Sequence, residues 1–275
     1  MDGLLQAPAA TAFDAAASLV SLVVYLGAAC AVLARRPRDP RAHVFLAVAL
    51  TSAVPYTLSA LQWWKGTAVY TPATIALAAA AFSVGATALF HFTQIFPARR
   101  PWIEAHGRWL IAAYVVPVLP IALVAFVVSR LVSQLTSDMA NLGDSGGLGA
   151  VSSGIAEPLI LLGGLPIIFL VGIVLPFCGV MSLVNSWKDA KKAGDEPARV
   201  TTFWMLISQL AGGVLAVLVL PLLHLAGVPA MLSAVFAGFA YVFALIMPVA
   251  FLASGALNGD APASTPQLHN AATPN

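Results

Sequence analysis

Long apolar runs separated by short polar or basic stretches dominate this sequence. A membrane-spanning helix needs about 20 mainly apolar residues, because it rises about 1.5 Å per residue through about 30 Å of hydrocarbon. Seven segments meet that requirement: Ala15–Ala34, His43–Trp63, Pro72–Phe96, Trp109–Arg130, Pro158–Trp187, Phe203–Leu225 and Ala230–Ala253. They predict an all-α, polytopic membrane protein with a seven-transmembrane-helix bundle over residues 15–253. Residues 1–14 precede it as an N-terminal segment, and residues 254–275 follow as a polar, Pro- and Ala-rich tail expected to be disordered.

The boundaries carry matching punctuation. Thr71-Pro72 and Glu157-Pro158 place a proline where a helix starts and its missing N–H is harmless. Phe96-Pro97 ends the third span, because proline disfavours helical geometry in the preceding residue. Trp63, Trp64, Trp102, Trp109 and Trp187 fall near span ends, where an amphipathic ring suits the headgroup region. Between the fourth and fifth spans, Leu131, Leu135, Met139 and Leu142 recur at helical spacing, which predicts either an extension of the fourth span or a short surface helix. Pro55, Pro117, Pro120, Pro166, Pro176, Pro221 and Pro248 lie inside spans. Each removes a backbone hydrogen bond, and neighbouring helices are expected to restore most of them. After its first residue, Pro72, the third span is free of proline up to Pro97 and alanine-rich, with Ala81 and Gly85 as a small-xxx-small pair suited to a closely packed central helix.

Composition agrees with this reading. The chain of 275 residues is 60% hydrophobic and 9% charged, whereas soluble domains carry roughly 25% charged residues. Net charge is uninformative as a sum, but its placement is not. Arg35, Arg36, Arg38 and Arg41 follow the first span, Arg99, Arg100 and Arg108 the third, and Lys188, Lys191, Lys192 and Arg199 the fifth, leaving only Lys65 and Arg130 of the 13 basic residues elsewhere. The positive-inside bias makes that face cytoplasmic, with the N-terminus outside and the C-terminus inside. The first basic residue is Arg35 and acidic Asp2 and Asp14 precede the first apolar run, so that run reads as a retained span rather than a secretory signal. The expected location is a cell membrane, the inner membrane of a bacterium.

The absences narrow the function. No Asp, Glu, Lys or Arg falls in the middle of any span, which argues against a carboxylate-coupled pump and a retinal protein, since intramembrane charges mark such paths. No nucleophile–base–acid set or Gly-rich phosphate loop is present, so the reading is non-enzymatic. Basic loops this short and separated do not form a nucleic-acid surface. Cys30 and Cys178 lie in different apolar runs and read as packing residues, too few to hold a metal.

His43 and His91 both fall near the cytoplasmic ends of adjacent spans, and two histidines at one depth can hold a haem. The simpler role is an interfacial hydrogen bond for each, with no cofactor. His224 is expected at the opposite surface. Gln94, Gln209, Ser208, Tyr56, Tyr114 and Tyr241 are the polar groups expected to face the bundle interior, as interhelical hydrogen bonds or as the lining of a pocket for a small or lipid-like ligand. In HFTQIFPARRPW, Phe92 and Phe96 share one helix face, Pro97 stops the helix, and Arg99 and Arg100 are expected among lipid headgroups or against a cytoplasmic partner.

ALFHFTQIFPARRPW resembles the end of the third helix in the seven-transmembrane N-terminal input region of bacterial sensor histidine kinases and related signalling proteins. The carriers of the resemblance are His91, Phe92, Phe96, Pro97, Arg99 and Arg100, together with DPRAHVFLAVAL before the second span and AGDEPARVTTFWMLISQLAGG before the sixth. The resemblance covers about residues 10–255 and implies a signal-sensing module. No phospho-accepting helix or ATP-binding motif follows the last span, so it implies an input region acting through a partner, with Arg99 and Arg100 beside His91, Phe92, Gln94, Phe96 and Pro97 in the contact. The competing readings are a transporter or channel for an uncharged or lipid-like solute, and a haem- or quinone-associated subunit of a membrane redox complex.

Overall fold

The computed structural model describes residues 12–65, 71–96, 100, 103, 105–141, 164, 166–167, 169–213, 215, 219 and 230–256. Every regular element among them is helical. α1 (Ala12–Arg35), α2 (Pro40–Lys65) and α3 (Pro72–Ile95) match the first three expected spans closely. α4 (Gly107–Val115) and α5 (Val118–Asn141) divide the fourth. A π-helical turn, Leu170–Val174, runs into α6 (Leu175–Ala193). α7 (Glu196–Ile207) runs into a second such turn, Ser208–Gly212, and α8 (Ala230–Phe251) ends in a third, Leu252–Ala256. Six helical stretches are long and apolar enough to cross a membrane, and the chain is an integral membrane protein of the helical-bundle class. The sixth expected span is described through its first half. Pro97, Arg99, Trp102, Pro158, Pro221, His224, residues 1–11 and the tail from 257 onward lie outside the described residues.

α1 packs between α2 and α8; α2 packs on α3, α3 on α6, α6 on α7, and α7 with its π turn returns to α8, closing a ring. α4 and α5 join the ring through α3, so α3 has the central place its small residues predict. The reason is visible at Gly85, where a Cβ would sit 2.8 Å from Thr51 Oγ1 on α2. Only a glycine admits α2 at that separation.

Three carbonyls that a proline leaves open are met by a hydroxyl from another helix. Proline cannot donate to the carbonyl four residues earlier, and no water is at hand in hydrocarbon to replace the donor. Pro248 leaves the Ala244 carbonyl open, and the Tyr25 hydroxyl of α1 donates to it at 2.8 Å. Pro117 separates α4 from α5 and leaves the Ala113 carbonyl open, and the Thr87 hydroxyl of α3 donates to it at 3.2 Å. The Thr93 carbonyl precedes Pro97 by the same interval and accepts from Ser182 Oγ of α6 at 3.1 Å. Each of these three carbonyls thus accepts from a hydroxyl on another helix, as expected where neighbours restore lost bonds.

One expectation needs correction, and one open alternative is decided. Cys30 and Cys178 are exposed on the outside of the bundle rather than packed within it, because the stripe of α1 that faces its neighbours runs through Tyr25, Ala28, Ala29 and Val32 and leaves Cys30 outside. Of the two readings of the stretch after the fourth span, the extension is the one observed: after the break at Pro117, α5 continues through Arg130 to Asn141.

Candidate functional site at the basic end of the bundle

The α1–α2 loop, the end of α3 and the α6–α7 corner meet at one end of the bundle. Phe251 in the last turn of α8 touches Phe45 near the start of α2 and Phe92 and Phe96 at the end of α3, with ring centroids 4.8, 5.0 and 5.5 Å away. Phe92 and Phe96 stack at 5.4 Å, one helical turn apart on the face that their spacing predicts. These four rings, with Val32, Leu183, Met205 and Met247, form a buried floor beneath the basic loops.

Each loop is fastened to the helices that it joins or faces. Asp39 caps α2: its carboxylate accepts from the Arg41 backbone N–H at 2.9 Å and from the Arg41 guanidinium, with Arg36 at 3.8 Å, and Pro40 occupies the first helical position. Burial alone pushes the Asp39 carboxyl up, but the Arg41 hydrogen bonds and the Arg41 and Arg36 charges outweigh it and hold it below the usual aspartate value. The linkage sign follows. A lowered folded pKa gives stability that is complete above the unfolded value of about 3.9 and is lost as pH falls through the folded one. Acidification from pH 5 toward pH 3 is therefore expected to lower the melting temperature of the solubilised protein, and Asp39→Asn, which keeps a capping acceptor, is expected to lose part of that acid sensitivity.

Arg100 ties α3 to α6. Its backbone N–H donates to the Gln94 carbonyl at 2.9 Å; its guanidinium donates to Ser186 Oγ at 2.9 Å, to the Ser182 carbonyl at 3.4 Å and to Asp189 at 3.2 Å. An Arg expected to reach headgroups or a partner is instead held within the chain. Asp189 is the more exposed member of the pair, and exposed pairs contribute roughly 0–1 kcal/mol. Arg100→Ala is accordingly expected to cost about 1–2 kcal/mol in all, mostly from the Ser186 and carbonyl bonds; a melt of Arg100→Lys, which keeps the charge but not the fork, should fall between it and the parent. The α6–α7 corner closes on Gly194, whose φ of 70° favours glycine, followed by Asp195, which accepts from the Ala198 N–H at 3.1 Å.

The histidines separate. His43 is exposed, and its Nδ1 lies 3.0 Å from the Asp39 carbonyl of its own helix start. His91 is half-buried, with Nδ1 3.2 Å from the Tyr114 hydroxyl on α4. Phe92, one residue on, faces Phe45, so His91 points to the α4 side of α3 rather than toward α2. The two imidazoles are not brought onto a shared face, and the haem reading gains nothing from this geometry. Among the described residues no cluster of three metal-ligating side chains occurs. Gln94 is buried at 9% exposure, Ser208 donates to the Phe243 carbonyl at 2.7 Å, and Tyr241 meets Ser18 at 3.1 Å. Pro97 and Arg99 lie outside the described residues.

Several residues that build this end were not singled out from sequence. Asp39-Pro40 carries a readable helix-start signal. Phe45, Phe251, Ser186 and Asp189 carry none, because their importance comes from partners far away in the chain. The chain matches no protein-family description, and no curated protein or solved structure is significantly similar to it.

Proposed function

We propose that the chain is a non-enzymatic, signal-sensing or scaffolding membrane module that acts through a protein partner at its basic end, placed in the cytoplasm. The observation that carries this reading is the mechanical continuity of that end. The loops that hold the basic residues are fastened by Asp39, Arg100 and Asp195 to helices that meet on the Phe45, Phe92, Phe96 and Phe251 floor. A rearrangement among the helices therefore moves the charged surface. The same floor fills the space between α2, α3 and α8 at this end, which favours a module that relays or assembles over a conduit for solute. The resemblance of the α3 end to sensor-kinase input regions points the same way.

Arg35, Arg38, Lys188, Lys191 and Lys192 are exposed and form the proposed contact, while Arg100 serves the fold. The test is a mild-detergent pull-down of the tagged protein from its native membrane. The expected result is a stoichiometric protein partner that is lost in Arg38→Glu/Lys192→Glu and retained in Trp109→Phe, on the outside of α4. A protein that comes down alone, or a partner indifferent to the charge reversal, contradicts the reading; a Soret band in the eluate would favour the redox-subunit alternative.

A further inference from the structure

The aromatic floor has an outer side. Ser208, in the π turn that follows α7, donates to the Phe243 carbonyl of α8 at 2.7 Å and closes the seam between the two helices at that level. Nearer the basic end, the inward residues of the same seam, Met205, Met247 and Phe251, are buried in the floor. The outward residues leave a groove of about 380 Å³. Trp204 of α7 forms one wall, and Val242, Ile246, Val249 and Ala253 form the other. Ala250, itself a member of the buried floor, lines the groove between them. The indole nitrogen of Trp204 is the only polar atom in these side chains. Trp204, Val242 and Val249 are exposed, so the groove opens outward from the bundle.

The shape of the groove selects its occupant. Val242, Ile246, Val249 and Ala253 recur at helical spacing, so their stripe runs along the axis of α8. At the helical rise it is about 16 Å long, which is half of a hydrocarbon core about 30 Å thick. That is the depth of one leaflet, the one at the basic end. The outward face of a membrane helix meets either lipid or another helix. A second helix is about 10 Å across and packs through small residues four apart or through polar side chains. At that spacing this stripe offers Val242 with Ile246 and Val249 with Ala253, and it carries no polar side chain. A hydrocarbon chain needs neither feature. We propose that the groove binds one phospholipid by an acyl chain laid between Trp204 and the α8 stripe. The chain rests on Ala250, covers the floor from outside and bridges α7 to α8 on the lipid side of the Ser208 contact. No charge lines the groove, so the acyl chain is recognised and the headgroup is not. Binding does not depend on a protein partner at the basic end.

The test is native mass spectrometry of the delipidated protein in mild detergent, titrated with palmitoyl-oleoyl phosphatidylcholine. This lipid carries no net charge, so the basic residues do not supply the binding. The expected result is a first lipid per chain held more tightly than those that follow. Ala253→Phe, which fills the groove from an exposed position, and Trp204→Ala, which removes its wall, should each weaken that first binding roughly five- to ten-fold. Val115→Phe, at a 66% exposed position on α4, should leave it unchanged. The two groove variants change its volume in opposite directions, so a shared folding defect does not account for a shared loss. Successive lipids bound with one common affinity overturn the proposal, as does a tight first lipid that ignores both substitutions. A dimer that excludes lipid and is lost in Ala253→Phe would assign the groove to a second copy and overturn it equally.

Discussion

Phe251→Ala is expected to destabilise the solubilised protein more than any other truncation at the basic end. The side chain is 1% exposed and touches three other aromatic rings from two helices. In water a Phe→Ala change in a core costs about 3–5 kcal/mol. Within a bilayer the transfer contribution shrinks, since lipid tails are as apolar as the core, and lost packing dominates. About 2–4 kcal/mol remains, because a cavity among Phe45, Phe92 and Phe96 forfeits dispersion contacts that rigid helices cannot close over. A thermal melt in mild detergent should show this as the largest shift in an alanine series, while Val249→Ala, 56% exposed and two residues away, should show almost none. Equal shifts for the two would mean that the rings do not pack as described.

Gly85→Leu is expected to be comparably severe for the opposite reason. The first added atom already lies 2.8 Å from Thr51 Oγ1 and 3.3 Å from Thr51 Cβ, and the remainder of a leucine has nowhere to go between α2 and α3. Thr51 cannot swing aside freely, because its hydroxyl donates to the Ala47 and Val48 carbonyls of its own helix. The helices must part, at a cost of at least about 2–3 kcal/mol. Gly85→Ala should be milder, and Gly85→Leu paired with Thr51→Gly should recover part of the loss. Chemical denaturation in a fixed detergent separates these variants; additive losses in the double variant would exclude a direct contact.

How much of this was legible in the sequence depends on the range of the interaction. α1, α2, α3 and α8 are set by length and apolarity, and both can be read from a single segment. The capping of α2 by Asp39 was equally local, in the Asp39-Pro40 pair. The Pro117 break and the Pro248 bend were legible as positions, and counting back four residues names the carbonyls they free, Ala113 and Ala244. Which hydroxyl answers each was not legible: Tyr25 and Ala244 lie 219 residues apart, and nothing along the chain connects them. The same limit governs the site. Phe92 and Phe96 declared themselves as a helix face, but their partner Phe251 lies on another helix. Arg100 read as a surface charge because its captors, Ser186 and Asp189, sit on α6. His43 and His91 shared a predicted depth, whereas binding a haem requires a shared direction, which depends on the rotation of α2 and α3 against each other.

The claim on which the rest depends is that the basic end is the cytoplasmic contact surface. Single cysteines at Arg38, Lys192 and Thr71, in a protein whose Cys30 and Cys178 have been replaced by serine, test it in intact cells with a membrane-impermeant maleimide. Labelling of Thr71→Cys from outside, with Arg38→Cys and Lys192→Cys labelled only after the membrane is opened, is the predicted result. Labelling of Arg38→Cys and Lys192→Cys in intact cells would place the charged end outside and contradict a cytoplasmic partner at that surface.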